Sequence, residues 1–191
     1  MGLDMYLNRC NRKAWGFKDF DIDEIKKNNP AIYEELKPYI NKRGSEYYSW
    51  ESIFEEVGYW RKANAIHKWF VDNAQNEVDD CGCYEVSKEQ LEGLLDICIK
   101  VRDSSKLVKG LVQNGSTYKD GKFVPNMEEG EYIEDSEIAE ELLPTQDGFF
   151  FGGTNYDQWY LQDINDTINI ITHALETTDF DKEMIVYGSS W

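Results

Sequence analysis

The sequence predicts an α+β fold: a small, mainly antiparallel sheet packed against several helices, one of them long and central. Three features carry this. The opening Gly2-Leu3-Asp4-Met5-Tyr6-Leu7 alternates, with Leu3, Met5 and Leu7 on one side, as a strand with one buried face does. Ser87 and Gln90 have capping-box spacing, and Val86 and Leu91 hold the two hydrophobic-staple positions. Tyr160, Leu161, Ile164, Ile168, Ile171 and Leu175 recur at helical spacing.

In chain order, Asp21 and Glu24 start a short helix through Ile22 and Ile25, and Asn29-Pro30 starts a second that Pro38 limits. Asn41 to Gly44 reads as a turn, and Tyr47-Tyr48 as a brief strand. Ser52 and Glu55 are spaced to cap the long central helix, which runs to about Ala74. A polar loop from Asn73 to Gly82 leads to a strand at Cys83-Tyr84-Glu85-Val86. The Ser87 helix follows, with Leu91, Leu94, Leu95, Cys98 and Val101 on its apolar side. A second amphipathic run, Leu107 to Val112, stops at Asn114-Gly115. Ser116 to Asp135 is turn-rich, with Asp120-Gly121 a hairpin tip between Tyr118 and Phe123. The acidic stretch after Glu128 ends in a short helix before Pro144. Gly148 to Gly152 reads as a strand, turning at Gly152-Gly153 into a helix capped by Thr154, with Asp157 at the capping-box position. Met184 to Tyr187 is the last strand and a plausible neighbour of the first. His173 falls on the solvent side of its helix.

The 191 residues suit a single domain, and 41% hydrophobic with 14% aromatic content supplies a substantial core. A formal charge of −17 disfavours direct binding of nucleic acid and acidic membranes. No apolar run is long enough to span a bilayer and no secretion signal opens the chain, so the expected location is cytoplasmic. In that compartment Cys10, Cys81, Cys83 and Cys98 are most simply thiols.

Candidate chemistry centres on Tyr59 to Val71. On a helical wheel, Asn64 and His67 fall within the apolar arc formed by Val57, Trp60, Ala63, Phe70 and Val71, with Arg61 at its rim. A buried amide and imidazole need partners. They either fasten the helix to neighbouring backbone or line a ligand pocket. His67 suits general acid–base work if a carboxylate, Cys81, Cys83 or Ser49 lies beside it. The Gly148 to Thr154 turn can offer backbone N–H groups to an anion. With Arg61, Lys62, His67 and Lys68 it would frame an anionic or nucleotide-like ligand, stacked on by Tyr156, Trp159 or Tyr160. The ligand-binding candidates are therefore Arg61, Asn64, His67, Gly153, Thr154, Tyr156 and Tyr160. Cys81-Gly82-Cys83 lacks the second pair that structural zinc uses, and the Asp72 to Gly82 loop lacks calcium-loop order. No metal and no cofactor is expected.

The start MGLDMYL, the stretch YWRKANAIHKWF, the segment LLPTQDGFFFGGTNYDQWYLQDI and the ending SSW resemble an uncharacterised family of small bacteriophage and bacterial proteins. The likeness covers most of the chain except roughly residues 11 to 48 and 114 to 133. It implies a phage or mobile-element setting and supplies no catalytic residues. The expected function is an acidic, non-enzymatic accessory protein that binds and blocks a host component, for example of a defence system, or sequesters a small anionic ligand. The alternative is a small hydrolase or transferase using His67.

Overall fold

The computed structural model describes residues 2–15, 21–44, 49–148 and 150–191. Strand β1 (Asp4–Asn11) and a 3-10 turn lead to helices α1 (Ile22–Asn28) and α2 (Pro30–Leu36), then β2 (Asn41–Gly44), β3 (Ser49–Ser52) and β4 (Glu55–Arg61). Helix α3 (Asn64–Asn73), β5 (Cys83–Val86) and α4 (Lys88–Ser104) follow. The long hairpin of β6 (Leu107–Lys119) and β7 (Lys122–Ile133), α5 (Glu137–Leu142), α6 (Gln158–Thr177) and β8 (Glu183–Ser190) complete the chain.

The main sheet is antiparallel, in the order β4-β1-β8-β5. Alternation along β1 puts Leu3, Met5 and Leu7 against the helices without exposure, beside Ile185 and Tyr187 of β8. The helical layer contributes Ile66 and Phe70 from α3, Leu91, Leu94, Cys98 and Val101 from α4, and Ile164 and Ile171 from α6. Phe70 stacks on Tyr187 with ring centroids 3.9 Å apart, which locks α3 to the middle of the sheet. A second cluster, Ala14, Ile22, Ile25, Leu36 and Ile53, gathers around α1 and α2.

The α+β class, the pairing of β1 with β8, and the caps of α1 and α4 match the sequence reading. Asp21 accepts from the Asp23 and Glu24 amides, and Ser87 and Gln90 close a reciprocal capping box. All four cysteines are thiols.

Four elements differ. Residues 52–74 do not form one helix: Glu55–Arg61 is a strand, and α3 begins only at Asn64. The alternation of buried Gly58 and Trp60 with exposed Tyr59 and Arg61 won, because β4 pairs with β1 along its length. Lys62 then breaks the strand in a left-handed conformation, φ 64°. The long helices are instead α4 and α6, of 17 and 20 residues. Asn41 to Gly44 is a strand, paired with β3. Leu107 to Val112 belongs to β6, and Asn114-Gly115 falls at a bulge that the strand runs through. Gly148 and Phe150 to Gly152 are not strand, and the helix after them is capped by Asp157 rather than Thr154. Asp157 Oδ1 accepts from Trp159 N at 3.0 Å and Tyr160 N at 3.2 Å, satisfying amides that a cap three residues earlier cannot reach. Tyr47-Tyr48 and Phe149 lie outside the described residues.

Candidate binding cleft

The end of β4, the start of α3 and the first turns of α6 enclose a cleft of about 570 Å³. Its geometry begins at Lys62, whose N–H donates to Leu3 O at 2.8 Å and so closes the β4 edge before the chain turns. Helix α3 then starts with no side-chain cap. Lys62 O and Ala63 O accept from Asn64 and His67 respectively, whereas the Ala65 and Ile66 amides between them have no acceptor among the described residues. The positive end of the helix therefore faces the cleft, directly after two cationic side chains, Arg61 and Lys62.

Asn64 builds the adjoining wall. Its Nδ2 donates to Gly153 O at 2.7 Å and Phe151 O at 3.3 Å, while Oδ1 accepts from Gln146 N at 3.0 Å. One amide thus ties the 146–153 segment across α3. Gly152, φ 102°, is required there, since a Cβ would sit 3.1 Å from both Lys62 Cβ and Lys62 O.

The opposite wall is α6. Trp159 is partly exposed at the mouth with Phe150, and Tyr160 lies deeper, its hydroxyl donating to Leu143 O at 3.0 Å. Asp163 lines the same wall, and burial, reinforced by Asp166 and Asp157, pushes its carboxyl up to about 7. Burial also raises Asp157, against the pull of its helix-capping bonds. The bulged segment of β6, Gln113 to Ser116, completes the rim. The hairpin root is held to α6 by Ile133 N to Tyr156 O at 3.0 Å and Glu131 N to Gln158 Oε1 at 2.8 Å.

Of the seven sequence candidates, Arg61, Asn64, Gly153 and Tyr160 meet in this cleft. Arg61 is its exposed edge, 3.9 Å from Asp4 Oδ1, and Asn64 is fully occupied by backbone. The other three do not line it. Tyr156 is spent on Thr145, accepting from its N–H at 3.2 Å, and Thr154 is exposed. His67 is 0% exposed and points into the core, with Nδ1 2.8 Å from Tyr187 OH and Nε2 3.1 Å from Asp79 Oδ2. Both ring nitrogens are taken, one by the Tyr187 hydroxyl and one by the Asp79 carboxylate.

Asp163 and Phe150 were not among the sequence candidates. The signal for Asp163 was present, because an acid three residues after Tyr160 and one before Ile164 stands inside the apolar arc of α6. Phe150 carries no such signal, since its exposure comes from a left-handed backbone, φ 68°.

Among the described residues no group of three or more His, Cys, Asp or Glu side chains converges as a metal site does, and no helix is long and apolar enough to cross a membrane. The chain matches no protein-family model, no curated protein and no solved structure.

Proposed function

We propose that the protein is a non-enzymatic binding protein that takes a small anionic, nucleotide-like ligand in this cleft. The observation that carries the reading is the juxtaposition of Arg61, Lys62 and the uncapped start of α3 on one wall of a cavity of about 570 Å³, within the size range of ligand pockets. Phosphate or carboxylate oxygens would lie against that wall. A flat ring would rest on Trp159 or Phe150, and Asp163 would pair with a ligand hydroxyl or ring N–H. In the phage or mobile-element setting that the sequence resemblance implies, such a protein would act by withholding the ligand or blocking a host component.

Calorimetric titration with inorganic phosphate and a panel of nucleoside mono- and diphosphates tests this. Saturable binding by at least one nucleotide, lost in Arg61→Ala/Lys62→Ala, is the expected result. Absence of binding across the panel, or binding that the double variant retains in full, would overturn it.

A further inference from the structure

The Asp163 carboxyl lines the cleft half-buried and, among the described residues, receives no hydrogen bond and forms no ion pair. Its polar neighbours are committed elsewhere. On the same helix Asp157 Oδ1 caps the first turn, Tyr160 donates to Leu143 O, and Gln162 Nε2 donates to Asp166 Oδ1 at 2.8 Å. Across the cleft Asn64 is held by backbone, Gln113 Nε2 by Gly115 O and Ser116 Oγ, and Asn114 Nδ2 by Glu128 Oε1 at 2.9 Å. Burial of a carboxyl is costly unless a donor offsets it, so one left open inside a cleft is placed to meet the N–H groups of a ligand.

Position and chemistry narrow that ligand. Trp159 and Asp163 stand four residues apart on α6, neighbours on one face of the helix. A flat ring laid on the partly exposed indole brings one edge within reach of the carboxyl. An ionised carboxyl only accepts, and its two oxygens take two parallel N–H bonds. Adenine and cytosine set a ring acceptor beside their amino group, and uracil flanks its one N–H with carbonyls, so each turns a lone pair on the carboxylate. Among the common bases guanine sets a ring N–H directly beside an amino group.

We infer that the cleft selects guanine nucleotides: Asp163 accepts from the ring N–H and the amino group of the base, while the phosphates lie against Arg61, Lys62 and the start of α3. This rests on the anion-binding reading above and adds the base to it. Electrostatics give the contact a pH dependence. Burial, then Asp166 and Asp157 on its own helix, hold the carboxyl up at about 7. The charged groups of the facing wall are Arg61 and Lys62, whereas the hairpin rim (Gln113 to Ser116) and the lining residues between Thr145 and Asn155 present uncharged side chains. Guanine pairs with the ionised form, so selectivity is complete above about pH 7 and fades as the carboxyl takes up a proton below it.

Calorimetric titration of the full chain at pH 8 with guanosine, inosine, adenosine and xanthosine monophosphates tests the inference. The guanosine nucleotide should bind about tenfold or more tighter than the adenosine one, the scale of a bidentate base contact. The inosine nucleotide, which keeps the ring N–H and lacks the amino group, should fall between them. Asp163→Asn should reverse the preference towards xanthosine monophosphate, because its amide offers one donor and one acceptor where the carboxylate offers two acceptors. A purely structural role for Asp163 would not exchange one base for another. Nucleotides that bind without base preference, or a guanine preference that Asp163→Asn retains, would overturn the inference and leave the anion-binding reading standing. Arginine displacing the guanosine nucleotide would give the carboxylate to a guanidinium cation and overturn the base assignment in the same way. No binding by any nucleotide would overturn both.

Discussion

The Tyr187 hydroxyl lies 2.8 Å from His67 Nδ1, joining the middle of the sheet to the helix packed on it through a hydrogen bond buried from water. Asp79 holds the other nitrogen and also accepts from Trp191 Nε1 at 3.1 Å, so the chain of contacts runs from the core to the surface. Tyr187→Phe removes one donor and should cost about 1–3 kcal/mol. His67→Ala strands both partners and opens a void, and should cost about 2–5 kcal/mol. Urea denaturation of the two variants gives the comparison; a His67→Ala protein as stable as wild type would show that the imidazole is not a structural clasp.

Asn64→Ala should release the 146–153 segment without dismantling the sheet. Three hydrogen bonds to Gln146, Phe151 and Gly153 disappear, and the Gln146 amide loses its acceptor. Amide exchange at Gln146 should accelerate markedly while that at Ile185 stays slow. Equal acceleration at both would mean that Asn64 holds the whole fold, not one loop.

Asp163 gives a pH signature with a definite sign. Its folded carboxyl titrates at about 7, above the roughly 3.9 of an unfolded aspartate, so between these values the folded state holds the extra proton. Its stabilising contribution is complete below about pH 4 and is lost as pH rises through about 7. Asp163→Asn should flatten that part of the stability curve relative to wild type and be the more stable protein at pH 8. Parallel curves for the two proteins would remove the assignment.

Gly58 is closed to any side chain, because a Cβ there would lie 2.2 Å from Ile170 Cγ2. Beside it Trp60 Nε1 donates to Thr167 Oγ1 at 2.9 Å, so β4 and α6 are in close register. Gly58→Ala should cost about 1–3 kcal/mol by overpacking. Thermal unfolding would detect this, and a neutral substitution would mean that Ile170 moves aside freely.

Much of the fold was legible because local signals and tertiary packing agree. The Ser87 box, the Asp21 cap and the alternation of Leu3, Met5 and Leu7 each need only neighbours in sequence. The long helix over 52–74 failed because Trp60 and Phe70 lie on one arc of a wheel although they meet from different elements, their centroids 5.9 Å apart. That contact depends on Lys62 turning the chain, which the strand pairing imposes and no propensity announces. The cleft was half legible for the same reason. Arg61, Lys62 and Gly153 stand out as charge and turn chemistry, but their approach to Asp163 depends on β4 crossing α6.

The strand order β4-β1-β8-β5 sets Asp4 beside Ser190, and Leu7 beside Tyr187. On a ribosome adding about 5–20 residues per second, β1 must wait for nearly the whole chain before its second edge is covered. Until then an apolar strand with an open edge stays accessible to other nascent chains. Strand β8, the last element in sequence, lies between β1 and β5, so the four-stranded sheet is complete only once it is in place. The yield of native protein should therefore depend on synthesis rate and chaperone supply more than its final stability suggests.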